Sequence, residues 1–529
     1  MTSSPIRAPT ESAERKVTYG FADLALAFLS VVVVYAKSYE TTIKAIDSSI
    51  YAGLSLAVTG QGFIPHLPMG LEAFGGGYGT RGFNDHPGVL LYVAGWVMRL
   101  FGPAAWSARL VPCLMAAGCM PALYAFARRL APTERFRAWL AAGILALTVP
   151  FVRNAAGFQL DAPMVFLILL SFLAWEKGAW LRAGFWAGLS IVVKAPIGLL
   201  LFPVVLIAQW IVTTGSLSAL LKPSRFWRDW FGALAVCLGI VAAYWAMVAQ
   251  IGGGALVTDY WGRYVGGTLQ GRDGSQPFDP FLFFRETGRL YWPWLLFVIL
   301  GLFSFFRARE WKKRSELIPV LAAAIVIVLV SMIRFKSGAH YFLPVYPFLA
   351  WIAAKPVAAW LKTRELGFLR GAAMTVFAGG LAVIAFPIHF APEAFPALRK
   401  FNALIQSSGT IADRVLYVNG DFPYGSFMDY IPEIHFYTGR QTIVKDCEAV
   451  NTAVATEPAI RWVIVAGVNY ARCFDPQTRA FFPTVYRVGK VYLLSREMRS
   501  AEIDLTPLDR ELKAALDGAA ANLTRNIYQ

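Results

Sequence analysis

The run Pro87-Gly88-Val89-Leu90-Leu91-Tyr92-Val93-Ala94-Gly95-Trp96-Val97-Met98-Arg99-Leu100-Phe101 decides how the rest of the chain is threaded. It is mostly apolar but short, whereas a helix that crosses a bilayer needs about 20 residues. If this run crossed, the segment 128–137, with Arg128, Arg129, Arg135 and Arg137, would emerge on the outer side. Short cytoplasmic loops carry the excess of Lys and Arg, so that threading is disfavoured. Lying in the membrane interface as an amphipathic helix, the run leaves the basic segment inside.

Backward from this point lies a long loop, then an apolar run from Phe21 past Val34. No small-residue cleavage site follows it, so it reads as a retained anchor spanning 20–38. The tail 1–19, with Arg7, Arg15 and Lys16, is then cytoplasmic. Forward, spans are expected near 105–127, 138–153 and 162–177, then a short pair at 183–194 and 196–213. Others follow near 231–250, 290–306, 317–333, 340–360 and 370–388, which makes eleven with the first. The same threading places Lys222, Arg225 and Arg228 inside, then Arg307, Arg309, Lys312, Lys313 and Arg314, then Lys362, Arg364 and Arg370. The expected fold is therefore a mainly α membrane protein: tail 1–19, transmembrane domain 20–388 with outer loops 39–104 and 251–289, and an outer domain 389–529.

That last region reads as α/β. The β-rich runs Arg414–Val418, Arg461–Ala466 and Val485–Leu494 alternate with helix-length segments, and Leu505, Leu508, Leu512 and Leu516 suggest a helical tail over 501–529.

Composition agrees with a membrane protein. The chain has 529 residues, of which 57% are hydrophobic and 16% charged. A soluble protein cannot hide that much apolar surface. The 17 Trp suit interfacial belts. The net charge of +16 sits in short loops between apolar runs, which argues against nucleic acid as a partner. Of five cysteines, Cys113, Cys119 and Cys237 fall in apolar runs and read as packing residues. Cys447 and Cys473 lie in the outer domain, where a disulfide could form or not.

The loop that opens Ile46-Asp47-Ser48-Ser49-Ile50-Tyr51 and closes Phe83-Asn84-Asp85-His86-Pro87 is where chemistry is sought. Asp47 could take a proton from an attacking hydroxyl, or cap the helix after it; the two are compatible. Asp85 and His86 offer a second acid and the candidate ligands for a divalent metal ion, although such an ion needs three or more ligands. Asp85 could equally cap a helix beginning at Pro87. Asp161 precedes a span and could cap it, yet three outer acids at helix starts suggest one shared site. Lys194, in Val193-Lys194-Ala195-Pro196 between the two short spans, is costly unless it snorkels or pairs. It would suit a lipid phosphate. Arg109 calls for a carboxylate or phosphate partner; Arg153, and Lys336, His340 and Tyr341 at the outer start of the tenth span, are further candidates for binding substrate, with snorkelling the alternative for Lys336. Arg263 and Arg272 stand in the long second outer loop. There is no phosphate-binding Gly-rich loop and no Cys-x-x-Cys. With the acids outside, an energised donor would arrive attached to a lipid.

The order of these motifs carries a resemblance. An Asp-bearing outer loop is followed by Asp85-His86-Pro87, Gly102 through Arg109, a basic turn, and Arg153 to Leu160-Asp161. Then come Val193-Lys194-Ala195-Pro196, Tyr291-Trp292-Pro293-Trp294 and His340-Tyr341-Phe342-Leu343-Pro344. Over about 40–350 the chain resembles the GT-C superfamily of polyprenyl-phosphate-sugar glycosyltransferases. Within it the chain is similar to the transferases that place aminoarabinose or galacturonic acid on lipid A and core lipopolysaccharide, and more distantly to protein O-mannosyltransferases. The resemblance implies a bacterial inner-membrane enzyme that moves one sugar, with inversion, to a lipid, glycan or protein on the periplasmic face. Asp47 then assists the acceptor, Asp85 and Asp161 are further catalytic acids, and Lys194 meets the lipid phosphate. Three departures stand out: Ser48 where relatives often have a second acid, Pro87-Gly88 where they have two prolines, and no clear metal-linked His near Gln276-Pro277. They leave metal dependence open. A transporter or flippase of a polyprenyl-linked lipid would need the same basic pocket without a base, but the sequence shows no inverted repeat.

Overall fold

The short apolar run that governs the threading is a helix, one of a series whose ends are set by proline, glycine and charge. The computed structural model describes residues 46–61, 86–212, 225–252, 254–266, 281–288, 290–332, 339–362, 396–408, 412–419, 431–438, 440–497 and 501–504. The first and last expected spans, 20–38 and 370–388, lie outside these residues. The chain divides into two compact units: Met1–Ser38, Asn84–Leu90 and Arg109–Val383 form the first, and Tyr39–Phe83, Leu91–Ala108 and Ile384–Gln529 the second.

Helix α1 (Ile46–Gln61) carries Asp47 in its first turn. Helix α2 (Val89–Phe101) is the run with which the sequence reading began. It buries Leu91, Ala94 and Met98 and exposes Val93, Trp96, Leu100 and Phe101, with Arg99 over the Trp96 ring. This is the two-faced pattern expected of it.

The first unit is all helical among its described residues. Helix α3 (Ala105–Leu130) is followed by α4 (Arg135–Ala146) and α5 (Val149–Ala156). The expected single span 138–153 is therefore broken, with a bend of 65° between α4 and α5. Pro150 lacks the N–H that a continuous helix would use, and the Thr148 hydroxyl donates back to the Ile144 carbonyl at 2.8 Å, so the ladder stops there. Helices α6 (Asp161–Glu176) and α7 (Trp180–Val193) form an antiparallel hairpin, and a 3₁₀ turn (Pro196–Leu200) leads into α8 (Leu201–Val212). Next come α9 (Arg225–Gly252) and α10 (Gly254–Asp259), a π-helical turn (Tyr260–Gly266), α11 (Leu282–Thr287) and α12 (Trp294–Arg307). Helix α13 (Arg314–Met332), a 3₁₀ segment (Ala339–Val345) and α14 (Tyr346–Lys362) complete the unit. Four helices among the described residues are long and apolar enough to cross a membrane, and the bent α4–α5 pair would make a fifth. The other apolar helices here are shorter, α7, α8 and α12 among them.

Charge ties one end of this unit together. Arg137, 2% exposed, donates to both carboxylate oxygens of Glu316 and to the Trp351 carbonyl, and its guanidinium lies 3.8 Å from the Trp351 ring centre. Helices α4, α13 and α14 are joined by this one side chain.

The second unit contains α15 (Pro396–Ser407), β1 (Arg414–Asn419), α16 (Ile431–Thr438), β2 (Thr442–Asp446), α17 (Val450–Thr456), β3 (Ile460–Ala466), α18 (Gly467–Cys473), α19 (Pro476–Ala480), β4 (Thr484–Val488), β5 (Val491–Ser495) and β6 (Ala501–Asp504). Within the unit, α1 packs on α16. The sheet has the order β2-β1-β3-β5-β4-β6, with β1 parallel to β2 and β3, β5 antiparallel to β3 and β4, and β6 parallel to β4. β3 is buried at six of its seven positions, as expected of a strand covered on both faces.

Two sequence expectations are corrected here. The run Val485–Leu494 is a hairpin, not one strand, because Gly489 takes φ +58° and turns the chain. The tail begins as strand β6, paired to β4, where a helix was expected; residues 505–529 lie outside the described set. Cys447 and Cys473 are joined by a disulfide, with 4.8 Å between their Cα atoms.

One helix start in this unit gives a pH-dependent contact. The Asp475 carboxylate accepts the Thr478 N–H at 2.6 Å, and this bond holds its pKa below the usual value. A lowered folded-state pKa means that the stabilisation is present above the unfolded pKa and is lost as pH falls through the folded one. Hydrogen exchange of the Thr478 amide should therefore accelerate in acid beyond the intrinsic trend. Asp475→Asn, which keeps an acceptor, should remove that extra acid sensitivity; an unchanged profile in the variant would refute the assignment.

Candidate functional site

Helices α6 and α7 have 16 and 14 residues and run antiparallel, so the start of α6 lies level with the end of α7. The start of α6 is Asp161 and the residue after α7 is Lys194. Their side chains meet: Lys194 Nζ is 2.6 Å from Asp161 Oδ1, and the two residues are 5% and 1% exposed. The carboxylate sits at a helix N-terminus and the ammonium at a helix C-terminus, each at the end of the dipole that favours it.

The turn that aims Lys194 is built by the residues after it. Ala195 is extended, as the residue before a proline must be, and Pro196 opens the 3₁₀ turn. The chain then folds back against α7 at Gly198, where an added Cβ would lie 2.0 Å from Ser190 Oγ and 2.7 Å from the Ala187 carbonyl. Glycine is required there by contact.

Asp161 is held from a second side. Asn154 Nδ2 donates to Asp161 Oδ2 at 3.2 Å, while Asn154 Oδ1 accepts the Ala162 N–H at 3.1 Å. Asn154 thus fixes both the carboxylate and the first turn of α6. The 3₁₀ segment Ala339–Val345 packs on α5 and α6. It brings the Tyr341 ring centre to 5.7 Å from Lys194 Nζ, and His340 into electrostatic reach of Asp161. His340 and Tyr341 rings lie against each other at 4.1 Å.

The other expected site residues are placed as follows. Arg109 is buried on α3, within electrostatic reach of Cys113 one turn later, and Cys113 Sγ donates to the Ala155 carbonyl beside Asn154. Arg153 is half-buried on α5. His86 is half-buried just before Gly88, whose N–H donates to the Tyr244 hydroxyl at 2.7 Å. Tyr244 belongs to an aromatic group in which Trp245 and Tyr260 rings are 4.4 Å apart. Arg263 is in the π-helical turn; its side chain is outside what is described. Asp85, Arg272 and Lys336 also lie outside the described residues. Asp47 is exposed in the second unit, with Ser48 and Ser49 buried behind it.

Asp161, read from sequence either as a helix cap or as one acid of a shared site, is in an ion pair whose partner was not anticipated. Asn154 was also missed; nothing in sequence marks one asparagine near a helix end as a clamp. Both Asp161 oxygens accept, one from an ammonium and one from an amide. Among the described residues no three His, Cys, Asp or Glu side chains gather as a metal site would need.

With this geometry in view, likenesses to known proteins become informative. Residues 85–245 match the family model of dolichyl-phosphate-mannose-protein mannosyltransferase, under a third of the chain. The fold matches ArnT from Cupriavidus metallidurans bound to undecaprenyl phosphate, with TM-score 0.64 at 16% identity, covering 91% of this chain and 99% of that one. The apo form of the same protein matches with TM-score 0.63 at 15% identity, covering 90% and 98%. No curated protein matches the chain in sequence. At such identities the structural likeness is one of fold.

Proposed function

We propose that this chain, which belongs to the GT-C superfamily of membrane glycosyltransferases, moves a single sugar from a polyprenyl-phosphate carrier to an acceptor on the periplasmic face of the bacterial inner membrane. The acceptor is a lipid A or lipopolysaccharide group, another glycan, or a protein. The observation that carries this reading is the buried Asp161–Lys194 pair at a helix break, facing Tyr341, within a fold that in ArnT was solved with undecaprenyl phosphate.

In the reaction the acceptor oxygen bonds to the anomeric carbon as the carbon–oxygen bond to phosphate breaks, inverting that centre. The bonding pair leaves on the phosphate oxygen, and the lipid phosphate gains a charge. Lys194 is the cation that meets it, a form of preorganised electrostatic stabilisation. Asp161, itself held by Asn154, aims the ammonium. Arg109, Arg153, His340 and an arginine of the second outer loop, Arg263 or Arg272, are assigned to the same anionic donor. The acceptor proton goes to Asp47, whose exposure fits a base that must reach a substrate hydroxyl. Asp85 and His86 remain the candidate ligands should a divalent ion take part.

Eleven spans with an inner N-terminus and an outer C-terminal unit complete the proposal. The Cys447–Cys473 disulfide supports an oxidising compartment for that unit.

The test is sugar transfer in membranes from cells lacking the gene, complemented with wild type or Asp47→Asn, using radiolabelled polyprenyl-phosphate sugars. Asp47→Asn at equal expression should lose about a hundredfold or more, the usual contribution of a general base. Wild-type activity in the variant would remove Asp47 from the chemistry. Lipid movement without any transfer would replace the enzyme by a transporter.

A further inference from the structure

Two buried thiols of α3 reach the backbone that carries the Asp161–Lys194 pair. Cys113 Sγ donates to the Ala155 carbonyl at 3.1 Å, and Cys119 Sγ to the Ala162 carbonyl at 3.6 Å. These acceptors are the residues next after Asn154 and Asp161. Asn154 and Asp161 are themselves joined by the 3.2 Å amide–carboxylate bond, and Asn154 Oδ1 also takes the Ala162 N–H. Helix α3 is thus fastened at both ends of the clamp that holds Lys194 Nζ.

The two bonds are not equivalent. Cys119 also lies 3.7 Å from the Met115 carbonyl of its own helix, so its one proton is shared. Cys113 has the shorter bond, and its acceptor needs a donor. Helix α5 ends at Ala156, which puts the Ala155 carbonyl among the last four, to which the helix offers no N–H. In an apolar interior such a group is costly unless it is bonded. The thiol therefore completes α5 at the residue beside Asn154. Sulfur suits this task. A hydroxyl on a helix turns back to the carbonyl four residues earlier, as Thr148 does to Ile144 and Thr258 to Gly254. The longer C–S bond of Cys113 carries its proton across to the neighbouring helix instead. The fit is close between the two thiols as well, since an added Cβ at Gly118 would lie 2.7 Å from the Phe166 ring of α6.

We infer that Cys113 is a positioning residue for sugar transfer: by completing α5 it fixes Asn154, through Asn154 the Asp161 carboxylate, and through that the Lys194 ammonium. The thiol touches no substrate. The inference rests on the role proposed for Lys194.

The test compares the full-length protein with Cys113→Ala, Asp161→Asn and Cys237→Ala. Cys237 is also buried, on α9 against α7, so both Cys→Ala changes remove one sulfur from an interior. The two should lower the unfolding temperature in detergent by similar amounts. Only Cys113→Ala should also lower kcat, by about tenfold or more, because a slightly misplaced catalytic group is costly. Its KM for the polyprenyl-phosphate sugar should change little, as the charge that Lys194 meets develops in the transition state. Should Cys113→Ala fail to fold, Cys113→Ser serves, with a loss in the same direction, since its hydroxyl would turn back to Arg109. A second readout needs no turnover. The S–H stretch falls in an infrared window free of other protein bands and shifts with hydrogen bonding. The band lost in Cys113→Ala should shift in Asn154→Ala, and the band lost in Cys237→Ala should not. Wild-type kcat in Cys113→Ala beside a loss in Asp161→Asn would overturn the inference, as would an equal fall of kcat in Cys237→Ala or a Cys113 band indifferent to Asn154→Ala. No transfer by wild type, or full activity in Asp161→Asn, would strike the proposed role of the pair and with it the effect on transfer; the infrared shift then decides on its own whether the thiol holds the clamp.

Discussion

Replacing Lys194 with methionine should abolish sugar transfer and also destabilise the protein, and the two effects can be separated. The substitution keeps the length of the side chain but leaves the Asp161 carboxylate buried without its cation. Removing one partner of a buried pair costs about 3–5 kcal/mol, most of it from the charge left behind. Transfer should fall by about a hundredfold or more, as when a preorganised electrostatic group is lost. The double variant Asp161→Asn/Lys194→Met removes both charges and leaves Asn154 a neutral partner to bond. It should recover most of the unfolding temperature and none of the activity. If Lys194→Met transfers sugar at the wild-type rate, the phosphate role fails. If the double variant recovers activity with stability, the pair is structural and the cation for the phosphate lies elsewhere.

Gly184→Leu should prevent the first unit from packing. An added Cβ at Gly184 would lie 2.0 Å from the Ala233 carbonyl oxygen, and one at Gly188 would lie 2.8 Å from that of Cys237. Helices α7 and α9 therefore meet backbone to backbone, around Ala187, Ile191, Phe202, Ala233 and Cys237. Such spacing of small residues lets membrane helices approach without side chains between them. A leucine at 184 must push the helices apart, at more than the usual 1–3 kcal/mol for overpacking a core, since backbone cannot move aside. The internal control is Gly239→Leu on α9, where nothing lies within 4 Å. Both substitutions gain about 1 kcal/mol of helix propensity. Size-exclusion profiles and unfolding temperatures in detergent should show Gly239→Leu at or above wild type and Gly184→Leu aggregated or absent. A monodisperse Gly184→Leu protein of normal stability would refute the close packing.

How much of this was legible in sequence depends on range. Helical segments were readable because apolar composition and flanking charge are local signals, and α2 was identified as amphipathic from its length and the charge that follows. Lys194 was readable as costly, but its partner was not: Asp161 is 33 positions earlier, and only the matched lengths of α6 and α7 bring the two level. The clamp at Asn154 depends on the same hairpin. The break between α4 and α5 had a local cause, Pro150, that an apolar run concealed. Gly489 likewise carried the turn that divided an apparent single strand. At Gly184 and Gly198 the need for glycine is set by a neighbouring segment, which composition cannot report.

The Arg137 knot has a consequence for how the protein is made. Its carboxylate partner Glu316 is 179 residues further along the chain, and the Trp351 carbonyl 214. At a synthesis rate of about 5–20 residues per second, α4 waits roughly ten to forty seconds for the acid that neutralises it. During that interval an arginine destined for a protein interior has only water, lipid headgroups or Glu134 on its own turn to answer its charge. The nascent α4 must therefore be held near the membrane surface, or by the insertion machinery, until α13 emerges. The joining of α4 to α13 and α14 is consequently late, and a chain truncated before Glu316 would expose a buried charge and become a substrate for quality control.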